Sequence, residues 1–385
     1  MANTVTNVLP KLLAQGLMAL RQNAVMSRLV NRSYDTLAAG KGAVINVPIP
    51  SAIAARNVTP GVTFATNVDF APTVALVTLD FWKEAPFQFS DKDAAEVMEG
   101  VMPMQASEAI KSLANAVDEY IISKHTGIFS TSGTAGTAPF NSSLTAAASA
   151  RVLLNKQLAP MTDRRGVIDP DAEGNLLLNT QVLQADQRGD ADGIINGVIG
   201  NKLGVDWYMN QNITNQAYTP GTAWITGWTS DGSAQAGVST LNVVFTNSGS
   251  VKVGDIFTLG TQQYAITAAA TAVTAATMAI VFYPPLKAAV ATASVLTIGA
   301  GATAYVPNLV FHRDAFAWAS RPLTGMAGAG EFMTATDPVS GIALRLEVSR
   351  QYKQTTFSYD ILGGANLIRP ELATKIKGRS EEHTS

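Results

Sequence analysis

Three runs of residues carry side chains that could do chemistry, and each breaks at a position the chemistry needs. His312-Arg313-Asp314 opens like a kinase catalytic loop, in which the aspartate takes a hydroxyl proton. The metal-binding Asn of such a loop belongs five residues beyond the Asp; that place holds Ala319, and no glycine-rich phosphate loop or paired lysine precedes it. Asp169, Asp171, Glu173 and Gly174 copy the start of a calcium loop, yet the twelfth position, which must bring a bidentate Glu, is Thr180. Asp190-Ala191-Asp192-Gly193 fails similarly, with Arg188 where the first ligand belongs. Both acidic runs read as solvated turns, with adventitious calcium binding as the alternative. Arg188-Gly189-Asp190 spells an adhesion tripeptide, a motif short enough to arise by chance.

The histidines, His125, His312 and His383, have no ligand spacing among them. There are no cysteines, which excludes disulfides, zinc-thiolate sites and thiol nucleophiles. No Gly-x-Ser-x-Gly elbow, Walker loop or dinucleotide fingerprint occurs. Trp82, Trp207, Trp224, Trp228 and Trp318 do not fall at stacking intervals and read as core or interface anchors. No catalytic residue, cofactor-binding residue or metal ligand is therefore assigned, and no enzymatic activity or cofactor is expected.

The elements that would carry these residues centre on Ser90–Gly127, which reads as one long helix. Ser90 is placed to cap it, Asp93 sits at the capping-box position, and Asp91 and Asp93 face the positive end of the dipole. Gly100 and Pro103 are expected to loosen its first turns. Beyond them Ala106, Ile110, Leu113, Val117 and Ile121 form an apolar stripe, with Glu108, Lys111, Asn115, Asp118 and Lys124 mostly off it. Gly127 is expected to end the helix as a left-handed cap, and the dipole accounts for His125 in the last turn.

Before this rod, residues 1–35 read as an arm in which Val8, Leu9, Leu12, Leu13, Leu17 and Leu20 share a helical face. Such a face fits a core helix or a strap across a neighbouring subunit equally well. Ala43–Ile49 reads as a strand after the turn Gly40-Lys41-Gly42. Thr73–Trp82 reads as a second, running on to Phe89, with an irregular tip from Pro50 to Pro72. Two strands cannot bury each other's faces, so this ribbon must lie against something else, and intermolecular packing is the expectation.

After the rod comes a Ser/Thr/Gly loop over 130–143, then a helix from Leu144 to Leu158, stopped by Pro160. Gly166–Ile168 and Leu176–Leu178 read as α/β pieces, Gln181–Gly204 as loops with a short helix, and Val205–Met209 as a strand. From about Thr219 to Thr303 charges almost vanish. Strands at Thr240–Phe245, Asp255–Leu259, Tyr264–Thr267 and Met278–Phe282 there suggest an inserted small barrel or sandwich. Asn308–Trp318 reads as a strand and helix, and Gly341–Tyr359 as two strands joined by a turn at Arg350–Gln354.

Composition narrows the class further. Of 385 residues 15% are charged, against roughly 25% in an ordinary soluble domain, and the net charge is −2. A surface so poor in charge suits a subunit that hides much of it. No basic tract points to sequence-specific nucleic-acid binding. Lys11, Gln15 and Arg21 interrupt any signal-peptide core. Residues 256–286, rich in Ala and Thr and holding Gln262 and Gln263, read as strands rather than a membrane span.

Taken in order, Ala55-Arg-Asn-Val-Thr-Pro-Gly61, Leu79-Asp-Phe-Trp-Lys-Glu84 with Phe89-Ser-Asp-Lys92, Leu203-Gly-Val-Asp-Trp-Tyr208, Phe311-His-Arg-Asp-Ala-Phe316 with Arg321-Pro-Leu323, and Ser358-Tyr-Asp-Ile-Leu362 resemble the major capsid (coat) proteins of tailed bacteriophages. The chain is most similar to the short-tailed-phage type with an inserted β-domain. The resemblance implies an α+β fold. Its parts are an N-terminal arm (1–35), an extended β-hairpin loop (36–89), a spine helix with the peripheral domain (90–143) and an axial domain (144–218). An inserted all-β domain (219–303) and a return through both domains (304–378) follow. It also implies self-assembly as pentamers and hexamers into an icosahedral virion shell, on a scaffolding protein and with a portal, in the host bacterial cytoplasm. The shell would enclose double-stranded DNA without sequence-specific contacts, and no membrane is involved. Encapsulin shells share the fold and are one alternative; a β-rich surface or tail adhesin is another. Arg379–Ser385 resemble a translated sequencing adaptor, so native sequence is expected to end at or near Gly378.

Overall fold

In a computed structural model of the chain, the described residues are 9–34, 44–50, 72–92, 101–141, 143–183, 199–221, 228–244, 249–272, 276–298, 303–323 and 331–379, with a few isolated positions between. The turn at 40–42, most of the tip 50–72, the stretch 93–100, the motifs at 188–193 and residues 380–385 lie outside them.

The first elements are α1 (Leu9–Asn23) and the short α2 (Met26–Leu29). Strands β1 (Val44–Ile49), β2 (Thr73–Thr78) and β3 (Phe81–Ser90) follow, and then the long helix α3 (Val101–Ser123). After β4 (Thr131–Ser132) come α4 (Thr145–Lys156), β5 (Arg164–Ile168), α5 (Pro170–Leu178) and α6 (Thr180–Leu183). β6 (Asn201–Lys202) and β7 (Val205–Met209) lead to the inserted region.

That region contains β8 (Trp228–Ser230), β9 (Thr240–Val244), β10 (Gly249–Val251), β11 (Ile256–Leu259), β12 (Gln262–Ile266), β13 (Ala270–Ala272), β14 (Thr277–Tyr283) and β15 (Val295–Ile298). The chain returns through β16 (Pro307–His312), β17 (Phe316–Arg321), β18 (Glu331–Thr336), β19 (Ala343–Gln351), β20 (Gln354–Leu367) and β21 (Ala373–Lys377).

The apolar stripe of α3 is the centre of the main core. Ala106, Ile110, Leu113, Val117 and Ile121 are all buried. Their three-and-four spacing keeps them on one face, and burying each side chain contributes roughly 1.5–3 kcal/mol. Pro103 lies within α3, and Gly100 lies outside the described residues. Ser90 ends β3, which β20 holds in register that far, and helix begins directly after it at Asp91 and Lys92; the stretch 93–100 that would join this turn to α3 lies outside the described residues. The helix differs from its sequence reading at its other end. Gly127 is not left-handed. The helix tightens into a 3₁₀ turn, Lys124–Gly127, and a Cβ on Gly127 would lie 2.8 Å from Leu367 Cδ2, so the leucine tip would have to shift.

The arm packs on its own subunit. Leu12, Leu13 and Leu20 of α1 are buried in the same core as α3, and the Tyr359 hydroxyl donates to Leu12 O at 3.5 Å. Residues 9–34 are thus a core element; the strap reading is overturned for them because their apolar face meets the spine. Asn31 continues this attachment, bridging Ala317 in parallel and donating from Nδ2 to Asp314 Oδ1 at 2.7 Å.

Asp118 also departs from expectation. It lies not off the stripe but fully buried beside it, between Ala114 and Ile122. Its carboxylate accepts from Val25 N and Met26 N, both at 3.0 Å, and from Asn210 Nδ2 at 2.7 Å. One side chain therefore ties the arm, the spine and the end of β7 together.

Two sheets flank this core. One runs β4-β21-β16-β5-β7-β6, with parallel pairs at β21/β4 and β5/β7. The other is organised on β20, which pairs with β19 over residues 354–361, with β17 over 362–367 and with β3 over 354–363. The stretch after His312 is a 3₁₀ turn and a strand rather than a helix, since Phe316–Arg321 pairs with the end of β20. The β19–β20 hairpin turns through Tyr352 and Lys353, with Lys353 left-handed at φ 57°.

The inserted region closes into a six-stranded barrel, β11-β12-β14-β9-β8-β15, and β10 pairs with β13 beside it. Its own core includes Leu241, Val243, Phe257, Tyr264, Ile280, Phe282 and Leu296. Closure removes the edges that such short strands would otherwise expose.

Candidate assembly site

The ribbon is the element with the clearest unpartnered surface. β1 and β2 pair antiparallel from Val44↔Thr78 to Ile49↔Thr73. The strand expected from Thr73 to Phe89 breaks after Thr78: β2 stays with β1, and β3 leaves to join β20. Alternation then sorts the ribbon's side chains by face. Ile45, Val47 and Val77 are buried against Ala317, Ala319 and Ile368 of the same subunit. Val44, Val74 and Leu76 are about half exposed on the other face. The base of the ribbon thus lies against its own body on one face, where the expectation was a neighbouring molecule, while the other apolar face stays open.

Gly363 and Gly364 in mid-β20 make that seat possible. A Cβ on Gly364 would lie 2.0 Å from Thr78 O, and one on Gly363 2.4 Å from Trp318 Cη2. Asn366 Nδ2 adds a 2.7 Å bond to Leu76 O. Gly364→Ala is expected to force the ribbon off the sheet and cost about 1–3 kcal/mol, read as a lower Tm together with faster proteolysis between residues 44 and 78. An unchanged Tm and cleavage pattern would show that the ribbon is not seated there.

Beside the seat, Asp360 is almost wholly buried beneath the exposed Trp82, which donates from Nε1 to Oδ2 at 3.1 Å. Arg345 forks onto both Asp360 oxygens at 2.9 and 2.6 Å, and this bond holds its guanidinium charged. The chemistry of this ladder is positional: it fixes β3 across β20 and β19.

The barrel attaches to the body through a narrow neck and a dock. In the neck Tyr218 and Tyr305 exchange backbone hydrogen bonds of 2.8 and 3.0 Å. In the dock the Gln263 amide grips the Thr131 backbone, accepting from its N–H at 2.8 Å and donating to its C=O at 3.2 Å. Phe129 meets Tyr283 edge-on in a small cluster with Ile256 and Ala265. Gly254, left-handed at φ 96°, lets the barrel's turn lie against Thr126, 3.0 Å from a virtual Cβ.

Under that turn lies Lys375, fully buried, with Nζ donating to Gly254 O at 3.4 Å. Burial and the neighbouring Lys377 push its amine down to about 7, only partly opposed by Asp255. His125 is also buried, against the Tyr218 ring, and burial drives it down to about 3. It is therefore neutral, and the helix-dipole account of it, which needs an imidazolium, does not hold.

The motif residues have structural surroundings. His312 Nδ1 accepts from Asp314 N at 3.2 Å, capping the turn that carries the kinase-like tripeptide, and burial lowers its pKa. Asp169 is not in a solvated turn: it is buried immediately before α5, with its N–H on Asn308 Oδ1 at 2.7 Å and its carboxyl pushed up by burial. Asp171 and Glu173 occupy the first turn of α5, where the dipole favours them. Among the described residues no group of His, Asp and Glu converges to hold a metal ion, and no helix is long and apolar enough to cross a membrane.

Across 92% of this chain and 90% of the other, the architecture superposes on a structure of Mycobacterium phage Che8 with a TM-score of 0.53 at 15% identity. The fold is that of the tailed-phage capsid proteins. The capsid of cyanophage P-SCSP1u matches with a TM-score of 0.48 at 15% identity, over 92% of this chain and 88% of that one. The capsid of Ralstonia phage GP4 matches at 0.48 and 9%, over 93% and 88%. No protein-family model and no curated protein matches the sequence.

Proposed function

We propose that this chain is the major capsid protein of a tailed double-stranded DNA bacteriophage, assembling with copies of itself into an icosahedral head. The observation that carries the reading is the ribbon: its seat fixes a direction, and its free face presents Val44, Val74 and Leu76 to whatever lies alongside. The low charge of the chain supports the same reading, since heterologous contacts repeated around a ring hide surface on every copy. Each such contact should bury more than about 1,000 Å² to be specific. The role is structural, without catalysis or cofactor, within a virion assembled in the host cytoplasm. A scaffolding protein, a portal and packaged DNA complete the proposed partners. The proposed division of labour is arm 1–35, extended loop 36–89, spine and peripheral domain 90–143, axial domain 144–218, barrel 219–303 and return 304–378.

Expression with a co-expressed scaffold, followed by sedimentation and electron microscopy, is expected to show closed shells. A species that stays monomeric under every condition would overturn the proposal. Particles that enclose a cargo enzyme encoded next door, in place of a scaffold, would assign the same fold to an encapsulin-like compartment instead.

A further inference from the structure

We propose that the inserted barrel is a hinged appendage held on the body by a proton-sensitive latch, in which uncharged Lys375 binds the barrel's Gly254 turn and protonation of the amine releases it. The hinge is the Tyr218–Tyr305 neck, through which the chain enters and leaves the barrel. The latch is buried and polar, unlike the apolar dock of Phe129, Ile256, Ala265 and Tyr283 beside it.

Groups from every packed element face the Lys375 amine. From its own strand comes Lys377, whose Nζ stands 5.4 Å from the Tyr305 ring centre. From the neck come Tyr218 and Tyr305, with ring centres 5.8 and 5.9 Å from Lys375 Nζ and with burial pushing both hydroxyls up, so that they stay neutral. From the end of the spine comes neutral His125. From the barrel come Lys252, whose ammonium donates to Thr219 O at 3.2 Å, and Asp255.

Asp255 is the one carboxylate here, and its oxygens are already taken. They accept from Tyr218 OH at 3.0 Å, Gly221 N at 3.1 Å and Lys252 N at 2.8 Å. Among the described residues Lys375 forms no ion pair; its hydrogen bond is to Gly254 O, and Asp255 acts on it only through space. A proton on this amine would therefore be a buried charge with a single long carbonyl bond, and the nearby rings offset only part of that cost.

The sign follows from linkage. Docked, the amine titrates near 7; with the barrel swung away it is solvated and titrates at its ordinary 10.5. Release therefore takes up a proton throughout that window, so docking strengthens as pH rises through it and is weakest below about 7. His125 has the same sign in a lower window, between its ordinary 6.5 and about 3.

The Thr131 amide, which donates across the dock to Gln263, reports release directly. Hydrogen exchange on the full chain, corrected for intrinsic rates, is expected to show Thr131 protection rising roughly fiftyfold from pH 7 to pH 9. Amides of the β19–β20 hairpin are expected to keep theirs. Lys375→Met should flatten the Thr131 profile at high protection, and Lys375→Arg, charged throughout, should flatten it at low protection. A wild-type profile without pH dependence would overturn the latch whatever the variants do, and so would a wild-type slope surviving in Lys375→Met.

Discussion

Asp118→Ala is expected to lose about 3–5 kcal/mol of unfolding free energy in chemical denaturation, the largest single-residue effect in the arm–spine contact. The substitution leaves three donors facing nothing: Val25 N, Met26 N and Asn210 Nδ2. A buried donor stripped of its acceptor costs about 1–3 kcal/mol, and α2 has no side-chain cap to take over. A loss below about 1 kcal/mol would mean that water replaces the carboxylate and that the arm is not held at this point.

The same carboxyl predicts a pH dependence. Burial outweighs its three hydrogen bonds and raises it to about 6 from an ordinary 3.8. Between those values the folded chain binds more protons than the unfolded one. This contribution to stability is therefore complete below about pH 4 and is lost as pH rises through 6, by roughly 3 kcal/mol. Asp118→Asn, which has no proton to exchange, should lack that slope; a slope as steep as the wild type's would assign it to another group.

Removal of residues 50–72 is expected to leave a folded subunit that forms no closed shells, the largest effect on assembly. Ile49 and Thr73 are paired across the ribbon, so an Asn-Gly turn can join them without disturbing the register of β1 and β2. The seat on Ala317, Ala319 and Ile368 survives, since none of it lies in the deleted stretch. Stability should accordingly stay within about 1 kcal/mol of the parent. Sedimentation and electron microscopy with scaffold present decide the outcome. Normal shells from the shortened chain would show that the far part of the ribbon makes no lattice contact.

Much of this architecture is legible in the sequence, and the misses have physical causes. The α3 stripe and the barrel strands are periodic over enough residues for local pattern to determine them. Asp118 is not legible from its type, because a charged residue on a helix reads as exposed. Its position in the row Ala114, Asp118, Ile122 was the available signal, since a polar residue flanked at four-residue steps by apolar ones faces inward with them. The break between β2 and β3 escaped because partner choice is not local: both halves are β-prone, and β20, far along the chain, claims the second. Gly363-Gly364 is a signal the sequence reading does not use: paired glycines inside a strand fit a close backbone approach. Lys375 had no signal at all, lying in a short strand between Thr374 and Ile376 and covered by the neck tyrosines and the barrel turn, which are distant in sequence.

β20 has a consequence for biosynthesis. It is hydrogen-bonded to β3, β17 and β19, so the strand that organises one sheet emerges from the ribosome long after its first partner. Until β20 is made, Phe87 has no Phe357 or Tyr359 ring beside it, and the nascent chain waits with the edge of β3 unpaired. Completion of β20 thus sets when this sheet can close, and chains stalled before it are expected to fall to chaperones or precipitate.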